Sequence, residues 1–319
     1  MAWKQVLEIF ELLDSAYVDG EQVAGLLKNN GVEDVAVTRV QGEKGHTDFV
    51  KAFIPGADGK AAGGDAPTLG VVGRHGGLGA RPEFIGFVSD GDGPLVALAS
   101  ALKLGIMQQK GDVLSGDVIV ATHICPHAPS RPHHPVPFMG APVGGTEMNK
   151  HEIDERMDAI LSVDTTKGNR VINYRGFAIS PTVKQGYILK VSDDLLDVMQ
   201  STTGRLPVVF PITTQDITPY GNNVSHLNSI LQPATATSVP VVGVAITTEV
   251  PVAGSATGAT HLDDIDSAAR FCLEVAKVFG AGRCRFYDEE EFAQLVDLYG
   301  EMTHLQTVGG TLDEPGSAN

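Results

Sequence analysis

Cysteine, cationic charge and long apolar runs are all scarce in this chain. Its 319 residues include three cysteines, Cys125, Cys272 and Cys284. That odd, widely spaced set excludes a disulfide framework and fits a reducing compartment. Lys and Arg number 23 against 39 Asp and Glu, a formal charge of −16. A surface that acidic repels phosphate backbones, so nucleic acid is not an expected partner. No apolar run approaches the roughly 20 residues of a membrane helix. Residues 1–14 also lack the continuous apolar stretch and small-residue cleavage site of a secretory signal. The expectation is a soluble, cytoplasmic protein with no membrane partner. Gly73–Gly79 is Gly-rich but lacks the Gly-x-Gly-x-x-Gly spacing of a dinucleotide site. Repeats, linkers and composition shifts are missing too. One domain over 1–304 and a loose tail over 305–319 are therefore expected.

What is present is an alternation of strand and helix patterns. Helical spacing over Trp3, Val6, Leu7, Phe10 and Leu13 opens the chain, and a second helix is expected over Glu21–Lys28. Strands are expected at Val35–Val40, Asp48–Ile54, Thr68–Val72, Phe84–Val88, Asp117–Ala121 and Ala159–Val163. Further strands are read at Ala178–Ile179, Leu206–Phe210 and Val239–Thr247. Helices are expected at Leu95–Leu104 (capped by Asp92), Thr146–Met157, Asp193–Met199 and Asp263–Phe279. Val239–Thr247 is so apolar that it belongs at the centre of a sheet covered on both faces. The fold class that follows is three-layer αβα with a central, mostly parallel mixed sheet.

In such sheets functional groups collect beyond the carboxyl ends of the strands. Four of these positions carry metal-ligand side chains: His75, Asp90, Asp164 and His261. A mixture of imidazole and carboxylate suits zinc, with cobalt or manganese as substitutes. Each has a plainer reading, as a turn histidine, a helix cap or a helix flank. Asp164 is the hardest to dismiss, because an acid at the end of an apolar strand needs a partner. Cys125, between His123 and His127, is read as a buried packing residue, with a nucleophile or a soft metal ligand as the alternatives. Arg131-Pro-His-His-Pro-Val-Pro reads as an extended loop near the site.

The order of these residues resembles the co-catalytic zinc aminopeptidases and their aminoacylase and dipeptidase relatives, over residues 5 to about 280. His75 after an early strand, Asp90 before a helix, Val163-Asp164-Thr165-Thr166, and His261 ahead of Asp264-Ile265 match that family's ligand order. The resemblance implies a zinc-exopeptidase (phosphorylase/hydrolase-like) fold and one or two divalent ions. It also implies hydrolysis of an amide bond in a small, amino-acid-like substrate. Gln215, Asn222 and Asn223 fall where relatives keep substrate contacts. A His-x-Asp at His46-Thr47-Asp48 lies on too early a strand to be the family's motif. Two positions depart from the pattern. Gly77 stands where an orienting Asp is usual, and Thr122-His123-Ile124-Cys125-Pro126-His127 stands where a Glu-Glu pair is usual. His123 and His127 are thus the candidates for the missing base or ligand. The alternative is a member of the same fold that has lost hydrolysis and binds a metabolite or protein. A homo-oligomer is left open. Asp164-Thr-Thr-Lys-Gly168 and Gln215-Asp-Ile-Thr-Pro-Tyr-Gly-Asn222 also resemble a bacterial family of uncharacterised function, which implies no activity.

Overall fold

A computed structural model describes residues 1–42, 45–134, 136–212 and 229–306. The chain begins with helices α1 (Trp3–Leu13) and α2 (Gly20–Asn29), followed by strands β1 (Asp34–Gly42), β2 (Gly45–Ile54) and β3 (Leu69–Gly73). Next come α3 (Asp92–Gln109), β4 (Val118–Ile124), a small hairpin of β5 (Ser130–Arg131) and β6 (Phe138–Met139), α4 (Gly145–Glu152) and β7 (Ala159–Thr166). The last third holds β8 (Gly176–Ile179), β9 (Val183–Lys184), β10 (Tyr187–Ile188), α5 (Asp193–Thr203), β11 (Val241–Thr247), α6 (Leu262–Gly280) and α7 (Glu289–Tyr299).

The main sheet runs β1-β2-β4-β3-β7-β11-β9-β10, with β8 also paired to β11. β4, β3, β7 and β11 are mutually parallel, while β1, β2, β8, β9 and β10 add antiparallel edges. Successive residues of the central strands face opposite layers, as the pleat requires. Leu69, Val71, Leu161, Val163, Val242 and Val244 join the core under α1, α3 and α6. Val72, Ile119, Ile160, Val241 and Ala245 form the second core, beneath the short helical stretch Ser229–Thr235. The fold is therefore the expected three-layer αβα arrangement. Among the described residues, no helix is long and apolar enough to cross a membrane.

Helix α3 is the keystone of the first layer, with thirteen of its eighteen residues buried. It approaches the sheet so closely that a Cβ on Gly93 would stand 2.5 Å from the carbonyl oxygens of Arg74 and Val163. Only glycine permits that contact. The approach fixes the start of α3 against the ends of β3 and β7.

Three expectations need correction. Phe84–Val88 is a loop rather than a strand, and Gly86 takes φ +91°, outside the extended backbone of a regular strand. Leu206–Phe210 exchanges backbone hydrogen bonds with Ile179 but makes only one bridge, Ile179 with Val209. Asp92 does not cap α3: it is the first helical residue, and its carboxylate is committed elsewhere. Of the expected tail, residues 307–319 lie outside the described residues.

Candidate functional site

The chain leaves β3 for β4 on one side and then returns across to β7 on the other. The carboxyl ends of β3 and β7 therefore diverge at a topological switch point, where open α/β sheets keep their crevice. Gly73 pairs with Val163, so Arg74, where β3 ends, comes beside Asp164, which is still within β7 and pairs with Ala245 of β11. A cavity of about 440 Å³ opens here, lined by Arg74, His75, Asp90, Asp164, the last residues of β7 (Thr165 and Thr166) and the loop residues Lys167, Gly168 and Asn169 that follow. The β5–β6 hairpin supplies the opposite wall through Arg131, Phe138 and Met139.

Asp90 sits in the turn before α3. Its Oδ2 accepts the backbone N–H groups of Gly76 (2.5 Å) and Gly77 (2.8 Å). The place where the resemblance expects an orienting aspartate is thus occupied by a backbone amide that grips Asp90. Among the described residues, Asp164 accepts only the N–H of Thr165 (2.7 Å). Among the described residues, neither carboxylate takes part in an ion pair. Burial pushes the Asp90 carboxyl up to about 7, against the two glycine amides that lower it. Burial raises Asp164 well above the carboxylate range, and the facing charge of Asp90 raises it further.

Behind the cavity wall lies a buried polar chain. The Nε2–H of His75 donates to the His123 carbonyl oxygen (2.6 Å), and the two rings stack with centroids 3.9 Å apart. The Nδ1–H of His123 donates to Glu152 (2.8 Å), and Arg74 donates to the other Glu152 oxygen (2.5 Å). Arg74 also donates to Asn149 (3.2 Å) and Gln232 (2.6 Å). His123 and Glu152 are fully buried. Burial alone would raise the Glu152 carboxyl, but Arg74 and His123 hold it below its usual range. His75 is kept neutral by burial and by His123. Among the described residues, its Nδ1, and Nε2 of His123, have no hydrogen-bond partner.

The sequence-derived residues separate clearly. His75, Asp90 and Asp164 line one cavity. His261 lines a different one, of about 420 Å³, with Val250, Val252 and Ala259. His123 lies behind His75 rather than in the cavity wall. His127 is exposed, and its backbone bridges Ala80. Gln215, Asn222 and Asn223 lie outside the described residues. Asp48 is structural, accepting from Gly20 and paired with Arg39. Cys125 packs with Ala80, Val88 and Met139, and burial pushes its thiol up to about 11. A thiol held protonated is no nucleophile.

Arg74, Glu152 and Lys167 were not singled out from sequence. Glu152 had a signal, because Met148, Asn149 and Glu152 share one face of α4 and all are buried. Lys167 pairs with buried Asp92, which also accepts from Thr260 (2.8 Å). That pair anchors the loop after β7 to the start of α3.

The resemblance implies a divalent ion. Among the described residues, however, no three His, Cys, Asp or Glu side chains gather closely enough to hold one. As placed, the donor set does not form a metal centre. Compared with known proteins, residues 38–309 match the model of one family, described as Protein of unknown function (DUF1177). No curated protein matches the chain.

Proposed function

The chain belongs to that family, whose matched span takes in every wall of the cleft, and we propose that the cleft hydrolyses an amide bond in a small, amino-acid-like molecule. The observation that carries this reading is the pair Asp90 and Asp164. Two buried carboxylates with no ion-pair partner among the described residues line one cavity at the switch point, and the charge of Asp90 makes ionisation of Asp164 harder. Such a pair holds one proton between two groups, so acid and base coexist at neutral pH. The ionised carboxylate takes a proton from water as the water oxygen bonds to the carbonyl carbon. The protonated one delivers its proton to the amide nitrogen as the C–N bond breaks, leaving an acid and an amine. Arg74 contributes little free charge, because Glu152 balances it.

The test is release of free amine from a panel of dipeptides and N-acyl amino acids. Asp90→Asn and Asp164→Asn should each lower the rate by about 10²–10⁴. A native chain that cleaves nothing in the panel would remove the reading, and so would native rates in both variants. One observation favours a second reading in which a divalent ion takes part. Among the described residues, His75 ties Nε2 to a carbonyl and leaves Nδ1 unpartnered, the arrangement of a histidine ligand, although no third ligand side chain gathers beside it. Metal analysis of freshly purified protein for zinc, cobalt and manganese tests it.

A further inference from the structure

The β5–β6 hairpin brings to the cleft a cation that the fold itself does not use. Arg74, Arg131 and Lys167 all line the cavity. Arg74 is balanced by Glu152, and Lys167 by Asp92. Arg131 is half-buried and has neither an ion pair nor a side-chain hydrogen bond among the described residues. Its charged end folds back over the hairpin, because a Cβ on Gly140 would stand 2.1 Å from its Nε and 2.7 Å from its Cζ. Gly140 lines the same cavity. The guanidinium therefore rests on the cavity wall instead of reaching away into solvent.

The hairpin is fixed to its surroundings. Arg131 pairs with Phe138 across it, and the Gly140 N–H donates to the Pro129 carbonyl oxygen (2.9 Å). The Gly254 N–H donates to the Pro137 carbonyl oxygen (3.2 Å). A Cβ on Gly76 would stand 2.4 Å from the Met139 carbonyl oxygen, so the hairpin lies directly against the turn after β3. A guanidinium is planar and always charged, and its N–H groups form a fork that matches a carboxylate or a phosphate. Phe138, Met139, Val143, Met148 and Val252 add apolar surface to the same cavity. One cation beside apolar surface fits a ligand with an anionic head and an apolar body. A phosphate would bring a second negative charge to a cavity that already holds Asp90 and Asp164, whereas a carboxylate brings one.

We infer that Arg131 is a ligand-binding residue whose guanidinium holds the carboxylate of a small molecule with its apolar body in the cleft. The inference goes beyond the hydrolase reading and does not rest on it, since it concerns binding alone. In a dipeptide or an N-acyl amino acid the same contact takes the free carboxylate and leaves the amide bond for Asp90 and Asp164.

Isovalerate and isovaleramide share one branched apolar body and differ in charge, so they isolate the head group. Their binding to the full chain, and that of inorganic phosphate, is measured by calorimetry at millimolar concentration. The native chain should bind isovalerate at least about tenfold more tightly than isovaleramide or phosphate. Arg131→Gln should unfold at the native temperature, because no partner within the fold is lost. It should bind isovalerate at least about tenfold more weakly and isovaleramide as the native chain does. Arg131→Lys keeps the charge without the fork and should fall between the two. In the native chain, isovalerate should protect Arg131 from phenylglyoxal, read by peptide mass, and isovaleramide should not. No binding of isovalerate, equal binding of acid and amide, or an unprotected Arg131 overturns the inference. Unchanged isovalerate affinity in Arg131→Gln overturns it too, and so does a lowered melting temperature, which would give the guanidinium to the fold. Tighter binding of phosphate overturns the assignment to a carboxylate. A chain that binds isovalerate through Arg131 yet cleaves no amide removes the hydrolase reading and leaves this inference standing. Cleavage without carboxylate binding does the reverse.

Discussion

Removing the Glu152 carboxylate would leave the buried Arg74 guanidinium without its ion-pair partner. Arg74 is 3% exposed and Glu152 is fully buried. The carbonyl oxygens of Asn149 and Gln232 remain, but they are neutral. His123 would also lose the acceptor that fixes its Nδ1–H. Breaking a buried pair in this way costs about 3–5 kcal/mol. A chain of this length unfolds with an entropy of about 0.7 kcal/mol/K. Glu152→Ala should therefore lower the melting temperature by about 4–7 °C, read by calorimetry at pH 7. Glu152→Gln keeps the shape and one acceptor, and should lose roughly half as much. The combination Arg74→Met with Glu152→Met removes both charges, and should lie above Glu152→Ala despite carrying two changes. A Glu152→Ala midpoint within about 1 °C of native would refute the argument. A double variant as unstable as the two single changes added together would refute it as well.

Asp92→Ala should cost about 3 kcal/mol or more, because it strands buried Lys167, rather than the roughly 1 kcal/mol of a lost helix cap; urea unfolding distinguishes the two. Asp90 yields a pH dependence. Its folded carboxyl titrates at about 7, above its unfolded value, so the folded chain binds a proton that the unfolded chain releases. Its contribution to stability is thus present below about pH 4 and is lost as pH rises to about 7, by up to about 4 kcal/mol. Asp90→Asn should flatten the native stability profile across that window, and identical profiles would show that Asp90 is not a buried carboxyl. The three thiols are buried, with Cys272 and Cys284 pushed up to about 12. A disulfide-exchange reagent should therefore label none of them in the folded chain and all three in denaturant. Rapid native labelling of Cys125 would reopen its role as a nucleophile.

Period and apolarity carried most of the fold. β3, β4, β7 and β11 are runs of buried residues with little else in them, and α6 has a clear apolar stripe. The rule that functional groups collect beyond strand ends picks out His75, Asp90 and Asp164, which line one cavity, but also His261, which lines another, and the order of the strands is not legible in the sequence. The Arg74–Glu152–His123 chain was not legible. Its members lie 29 to 78 residues apart, and no local pattern marks which buried charge answers another. Asp92 was misread for the same reason. Beside Gly-Pro it has every local sign of a cap, and only the fold supplies Lys167, 75 residues away. Phe84–Val88 failed differently: its apolar residues look like a strand, but Gly86 turns the backbone where a strand would continue.

The switch point also has a consequence for how the protein assembles. β3 and β7 are neighbours in space, yet an entire crossover through α3, β4 and α4 lies between them in the chain. Pairing them closes a long loop, and that entropy must be met before any contact across the crevice exists. The cavity wall draws on residues from Arg74 to Gly254, so no early-forming fragment contains it. The cleft is consequently a late product of folding. Substitutions at Gly73 or Gly93, which set the approach of α3 to both strands, should act on the yield of competent molecules during synthesis more than on the chemistry of those that finish.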